Sequence, residues 1–235
     1  TGAATLNMAG GTLELAGSGA TTFGRNTVVS ASSTIKSDTA AAANGLVHQL
    51  GTLSIGAQTL TVSAGSNVNT NTTYGLTFGA TTLGASGATF DVANNGTGVG
   101  TRSLGALSGN GFNFTKSGAG TLALGTASTR TSGDATVTAG TLLLSNATAL
   151  GNAAADRVVM NGGTLSIAVD SGLTGYNTQV TASSTIASGR ATSGSGTTHT
   201  LGTLSIGAST LSVISGSNVS TNGAYGLTFG ATTLG

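Results

Sequence analysis

No cysteine, proline or tryptophan occurs among the 235 residues, and only 6% of them carry a charge. Each absence excludes something. Without cysteine there is neither a disulfide framework nor a thiolate-ligated zinc site. Charged residues make up about 25% of an ordinary soluble domain, so the surface of this chain has to be built from neutral polar groups. A net charge of +1 gives no basic stripe, and nucleic-acid binding needs clustered Lys and Arg. No apolar run reaches the 18 residues of a membrane helix. No basic stretch followed by an apolar one marks a signal peptide. The chain opens on Thr1 rather than Met, which reads as an internal fragment of a longer protein.

What is present is glycine, at 40 residues, together with much Thr, Ser, Ala and Asn, and a hydrophobic share of 38%. Disorder goes with low hydrophobicity and high net charge, and this composition has neither. There is apolar material for a core, but for a narrow one.

The strongest signal is internal repetition. Residues 50–84 match residues 201–235 at 28 of 35 positions, an offset of 151. Ala31–Ile35 matches Ala182–Ile186 at the same offset, and Met8–Leu13 matches Met160–Leu165 at 152. The chain therefore holds a first copy to about residue 151 and a partial second copy over 152–235. It reads as a window on a longer tandem array.

A shorter period lies inside the long one. Gly-Thr-Leu recurs at 11–13, 51–53, 120–122, 140–142, 163–165 and 202–204. The spacings of 40, 69, 20, 23 and 39 suggest multiples of one coil of about 20–23 residues. After each Gly-Thr the pattern is apolar, any, apolar, as in Leu122/Leu124 and Leu204/Ile206. That alternation puts both apolar side chains on one face of a strand. A helix is disfavoured because glycine interrupts every few residues, at about 1 kcal/mol each in a helix interior. These features predict an all-β fold, a single continuous parallel β-helix of about eleven coils and roughly 50 Å. Surface Thr and Asn would form ladders of like side chains that hydrogen-bond along the axis, where stacked charges would repel.

Residues 114–144, FTKSGAGTLALGTASTRTSGDATVTAGTLLL, resemble the autotransporter-associated β-strand repeat, also called the passenger-associated transport repeat. The likeness is carried by Lys116, Gly118, Gly120, Thr121, Leu122 and Leu124, then by Gly133, Thr136, Val137, Gly140, Thr141, Leu142 and Leu144. Val137 follows Thr136 directly, where the repeat has one residue between them. The resemblance implies a right-handed parallel β-helix on a bacterial surface, secreted through an outer-membrane barrel.

Candidate chemistry is sparse. The acidic residues are Glu14, Asp38, Asp91, Asp134, Asp156 and Asp170. Asp134 and Asp156 lie 22 apart and could stack on successive coils. A polysaccharide-active β-helix would group several carboxylates on one face. His48 and His199, equivalent in the two copies, read as solvent-facing strand or corner residues without partners for a metal or a nucleophile. Gly96–Gly100 lacks the Lys-Ser/Thr pair and the helix of a phosphate loop. Asn71, Asn95, Asn113, Asn146 and Asn218 head Asn-x-Ser/Thr triplets. Phe78 and Phe229 should point inward, and Tyr74 and Tyr225 should be partly exposed.

These readings predict no catalytic residues, no metal site and no cofactor. The expected function is an extracellular structural fibre or passenger stalk of a bacterial surface protein. The alternatives are an adhesin for host or neighbouring cells and, third, a secreted polysaccharide-active enzyme. The expected partners are other copies, end to end or side by side, with cell-surface or carbohydrate contacts besides. No nucleic-acid partner and no membrane span in this segment are expected.

Overall fold

Alternating apolar side chains separated by glycine corners produce a β-solenoid. The computed structural model describes residues 4–151, 156–173 and 175–235, with no helix among them. Short strands pair in parallel with the strand one coil above and one coil below. They fall on three faces. The first face starts at Leu6–Ala9 and holds five strands, and the second runs in ten strands from Thr12–Gly17 to Thr232–Leu234. The third holds eight, from Val47–Gln49 to Leu211–Ser215. A pair of strands, Thr197–Thr200 and Tyr225–Thr228, follows third-face strands and precedes second-face ones, the place in the coil of the first face.

The core is a set of axial columns. On the third face Leu122, Leu142, Leu165 and Ile186 stack in register, all fully buried. Each such side chain contributes roughly 1.5–3 kcal/mol by leaving water. Stability in this geometry is a sum over coils and their neighbours.

The expected coil of 20–23 residues holds for only part of the rod. Steps between paired residues are 20 for Thr121↔Thr141 and 23 for Thr141↔Thr164, but 26 for Ala88↔Phe114 and 30 for Thr59↔Thr89. The coils are therefore fewer and larger than the eleven expected. The difference sits in one corner. Between second- and third-face strands the chain takes only residues 118–120 and 138–140 in the short coils, but 65–73 and 93–99 in the long ones. Gly-Thr-Leu misled the count because it marks entry to a strand after a corner, on any face. Leu13 is on the second face, Leu53 on the first, and Leu122, Leu142 and Leu165 on the third.

The long repeat is not a whole number of coils. Leu53–Ile55 lies on the first face and its counterpart Leu204–Ile206 on the second. Thr59–Ala64 lies on the second face and its counterpart Leu211–Ser215 on the third. Six steps along the second face lead from Thr12–Gly17 to Asp156–Asn161, and the next strand, Thr164–Ala168 on the third face, is the counterpart of the start. The repeat thus advances six coils and one face. Local geometry survives the move. Ser33 Oγ donates to Ala31 O at 2.8 Å, and Ser184 Oγ to Ala182 O at 2.8 Å. Asn71 and Asn222 both adopt positive φ, at 68° and 66°.

Candidate functional site

The residues singled out for chemistry are not brought together. The described residues contain no group of three His, Asp or Glu side chains able to hold a metal ion. Asp134 does not stack on Asp156: the 23-residue step pairs Gly133 with Asp156 and Asp134 with Arg157. Asp134 accordingly forms an ion pair with Arg157 at 2.6 Å. The side chain of Asp156 lies outside the described residues. Asp170 pairs with Arg190 at 3.1 Å, and the Thr192 hydroxyl and backbone N–H hold its carboxyl below the usual range, helped by Arg190.

Glu14 and Asp38 do meet. A hydrogen bond to Asp38, then desolvation and the Asp38 charge, hold the Glu14 carboxyl above its ordinary value. Asp38 is buried, with Oδ1 accepting the N–H groups of Thr39 at 2.8 Å and Asn67 at 3.0 Å. A Cβ on Gly65 would lie 2.0 Å from its Cγ, so no substrate could reach that side. The counterparts in the second copy are Ser166 and Gly189. The pair belongs to one corner and is not a repeated site.

His48 and His199 are not solvent-facing. Both are buried, because they occupy inward positions of their strands, paired with Leu76 and Leu227. His48 Nε2–H donates to Asp38 O at 2.8 Å, and Nδ1 accepts the Thr21 N–H at 3.2 Å. This arrangement places the ring proton on Nε2. His199 Nε2 meets Gly189 O at the same 2.8 Å. Tyr74 is buried rather than partly exposed, its hydroxyl donating to Ala93 O at 2.6 Å. Burial, then the Asp91 charge, raises its phenol well above the ordinary value. Tyr225, its counterpart in the last coil, is exposed, and Phe78 points inward as expected. Gly96–Gly100 belongs to a corner closed by reciprocal Asn95–Gly98 backbone hydrogen bonds of 2.8 and 3.0 Å. The triplet asparagines serve the corners too. Asn113 Oδ1 accepts the Asp134 N–H at 2.7 Å, and Asn218 Nδ2 donates to Arg190 O at 3.0 Å.

Three buried cations escaped the sequence reading. Arg102 stands in the third-face apolar column between Leu76 and Leu122. Its guanidinium lies over the rings of Phe90 at 4.5 Å and Phe78 at 5.2 Å. Lys116, between Phe90 and Val137 in the second-face column, turns its ammonium into a corner. There it donates to Ser117 O, to Gly118 O at 2.7 Å and to Ala139 O at 3.2 Å. Arg130 donates to Phe112 O at 2.8 Å beneath Phe114. The available signal was the alternation itself: Arg102 and Lys116 occupy the apolar positions of TRSL and FTKS.

Desolvation pushes Lys116 down to about 8 and Arg102 to about 9, Asp91 opposing it in both cases. Both folded values lie below the unfolded ones. Above pH 8 the unfolded chain therefore binds more protons, and stability rises with pH. Tyr74 acts in the opposite direction only once an ordinary phenol ionises, near pH 10. The unfolding free energy is accordingly expected to rise from pH 8 to pH 10, by on the order of 1–2 kcal/mol after solvent screening, and the urea midpoint with it. Urea titrations across that range check this, and Lys116→Met should flatten most of the slope.

On the outside, both copies build the same hydroxyl-lined groove. One, of about 350 Å³, is lined by Gly11, Thr12, Ser32, Ser33, Thr34, Thr59 and Thr61. The other, of about 200 Å³, is lined by their counterparts from Gly163 to Ser212. Ser32 and Ser183 accept the N–H groups of Thr59 and Thr210, both at 3.0 Å. The first groove opens on the second face and the second on the third. These surfaces offer neutral hydroxyls and no acid–base or nucleophilic pair. Comparison with protein-family models, curated proteins and solved structures gives no match.

Proposed function

We propose that the chain is an extracellular structural segment, the fibre or stalk part of a bacterial surface protein, and that it catalyses no reaction. The observation that carries this reading is the uninterrupted stack of nearly uncharged coils, one sheet of ten strands running the length of the described chain. Such a stack grows by adding coils without redesign and spans distance at about 4.8 Å per coil. The likeness of residues 114–144 to passenger repeats supports a place in a secreted passenger. The buried Lys116 adds a physical reason for the lysine of that pattern, since its ammonium gathers the carbonyls of two successive corners.

An adhesin is the second reading, favoured by the hydroxyl groove that both copies carry. The test is location. Antibody to this chain should label rods or filaments on intact source cells in immunogold microscopy, and protease added outside should remove the label. Recovery of the chain only from the cytoplasmic fraction sinks the proposal. Binding of purified chain to cells, lost when Thr34 and Thr185 become lysine, would favour the adhesin over a bare stalk.

A further inference from the structure

On the third face Thr101, Thr121, Thr141, Thr164, Thr185 and Ser212 stand in one outward column, each paired in register with the next. None of their hydroxyls makes a hydrogen bond within the described chain. The neighbouring outward column, from Ser103 through Leu143 to Ile214, is also without charge. The second face is different, since Glu14, Lys36, Asp91, Asp134 and Arg157 stand on its strands at outward positions.

Building on the scaffold reading, we propose that this hydroxyl ladder is the lateral contact between two copies of the chain. Three observations select a second copy as the occupant. A row of hydroxyls repeating at about 4.8 Å is matched in period by an identical row. Each hydroxyl both donates and accepts, so like can satisfy like. The face carries no charge that would repel its own copy.

Eight strands of about 4.8 Å and a width of about 10 Å offer roughly 400 Å² per rod. A pair then buries about 800 Å², less than the 1,200 Å² at which specific stable interfaces begin. One ladder is therefore a weak contact, felt at high concentration or through many repeats in series.

The repeat sets the direction of successive contacts. Thr12, Thr34 and Thr61, the counterparts of Thr164, Thr185 and Ser212, form the same column on the second face. Each repeat thus ends one ladder one face further round. In a longer array, ladders point in three directions in turn and return after three repeats, about nineteen coils. Rods joined this way form bundles that thicken in both lateral directions, not flat ribbons.

The experiment is small-angle scattering and sedimentation of the 235-residue chain over a concentration series. The cross-section should grow with concentration while rod length stays constant. The pair Thr141→Lys and Thr164→Lys should weaken association at least tenfold, with an unchanged circular dichroism spectrum. Raising salt to about 1 M, where the Debye length falls to about 3 Å, should restore it. Thr115→Lys on the second face should leave it unchanged. A wild-type chain that stays single at millimolar concentration overturns the proposal, as does equal weakening by Thr115→Lys. If the chain labels the cell surface but does not pair, this proposal alone fails. If it pairs but is found only in the cytoplasm, the scaffold reading fails instead.

Discussion

Replacing Gly140 by alanine should destabilise the rod by about 3–5 kcal/mol, whereas the same change at Gly11 should cost about 1–2 kcal/mol. Both glycines open a Gly-Thr-Leu triplet, and both have positive φ, 59° at Gly140 and 74° at Gly11. The shared part of the cost is the left-handed conformation, which an L side chain enters at roughly 1–2 kcal/mol. The rest depends on what lies beneath. A Cβ on Gly140 would come within 2.3 Å of both Gly118 O and Gly120 O, in the coil below. Both are backbone atoms of the corner 118–120, held between two paired strands, so neither can swing aside, and relief requires lifting one coil off another. At Gly11, in the first coil, a Cβ meets nothing within 4 Å. Because coils are stabilised by their neighbours, the damage at Gly140 should also divide the rod. Urea unfolding followed by circular dichroism should show one transition for the wild type and Gly11→Ala, and two for Gly140→Ala. Equal losses at the two sites would mean that conformation alone, and not the stacking of one coil on the next, explains the glycine.

The same pair of glycines explains what could be read in the sequence. Apolar alternation after each Gly-Thr gave the strands, and the 151-residue self-match gave the repetition, because both are local. Coil length was not legible. It depends on corners such as 65–73, whose Asn67 and Asn69 replace a tight glycine turn with stacked amides: Asn67 Nδ2 donates to Thr39 O at 2.9 Å, one coil away. Nothing in a single stretch says that such a corner keeps the strand register while adding residues. The face change per repeat follows from the sum of all the corners, which no short motif reports. His48 was misread for a related reason. Taken alone, Val47-His48-Gln49 shows a histidine flanked by an apolar residue, and only its pairing with Leu76 turns it inward. The hydroxyl ladders were legible as a tendency, since Thr and Ser fill outward positions, but their register depends on coil lengths of 20, 20, 23, 21 and 27 in succession.

Arg102→Met should make the protein more stable, by about 1–3 kcal/mol, and Lys116→Met should make it less stable, by about 1–2 kcal/mol. Both residues are cations in apolar columns, and the opposite signs follow from their partners. Arg102 gains a hydrogen bond from its Nη1 to Leu60 O at 3.1 Å and two aromatic faces, each worth about 2 kcal/mol when desolvated. Against this stand several kcal/mol for desolvating the ion and the buried Nη2 and Nε donors, which meet no acceptor. Methionine fills irregular space and keeps contact with Phe78 and Phe90 while removing the unpaired donors. Lys116 differs because all its bonding capacity is used on three carbonyls of two coils. Methionine there would leave those oxygens to whatever water can enter the corner, and the link between successive corners would be lost. Thermal unfolding of the two variants at pH 7 decides the matter. A loss of stability in Arg102→Met would show that the guanidinium's contacts with Phe78, Phe90 and Leu60 outweigh its burial. The uncharged coil would then tolerate an interior ion for energetic reasons and not in spite of them.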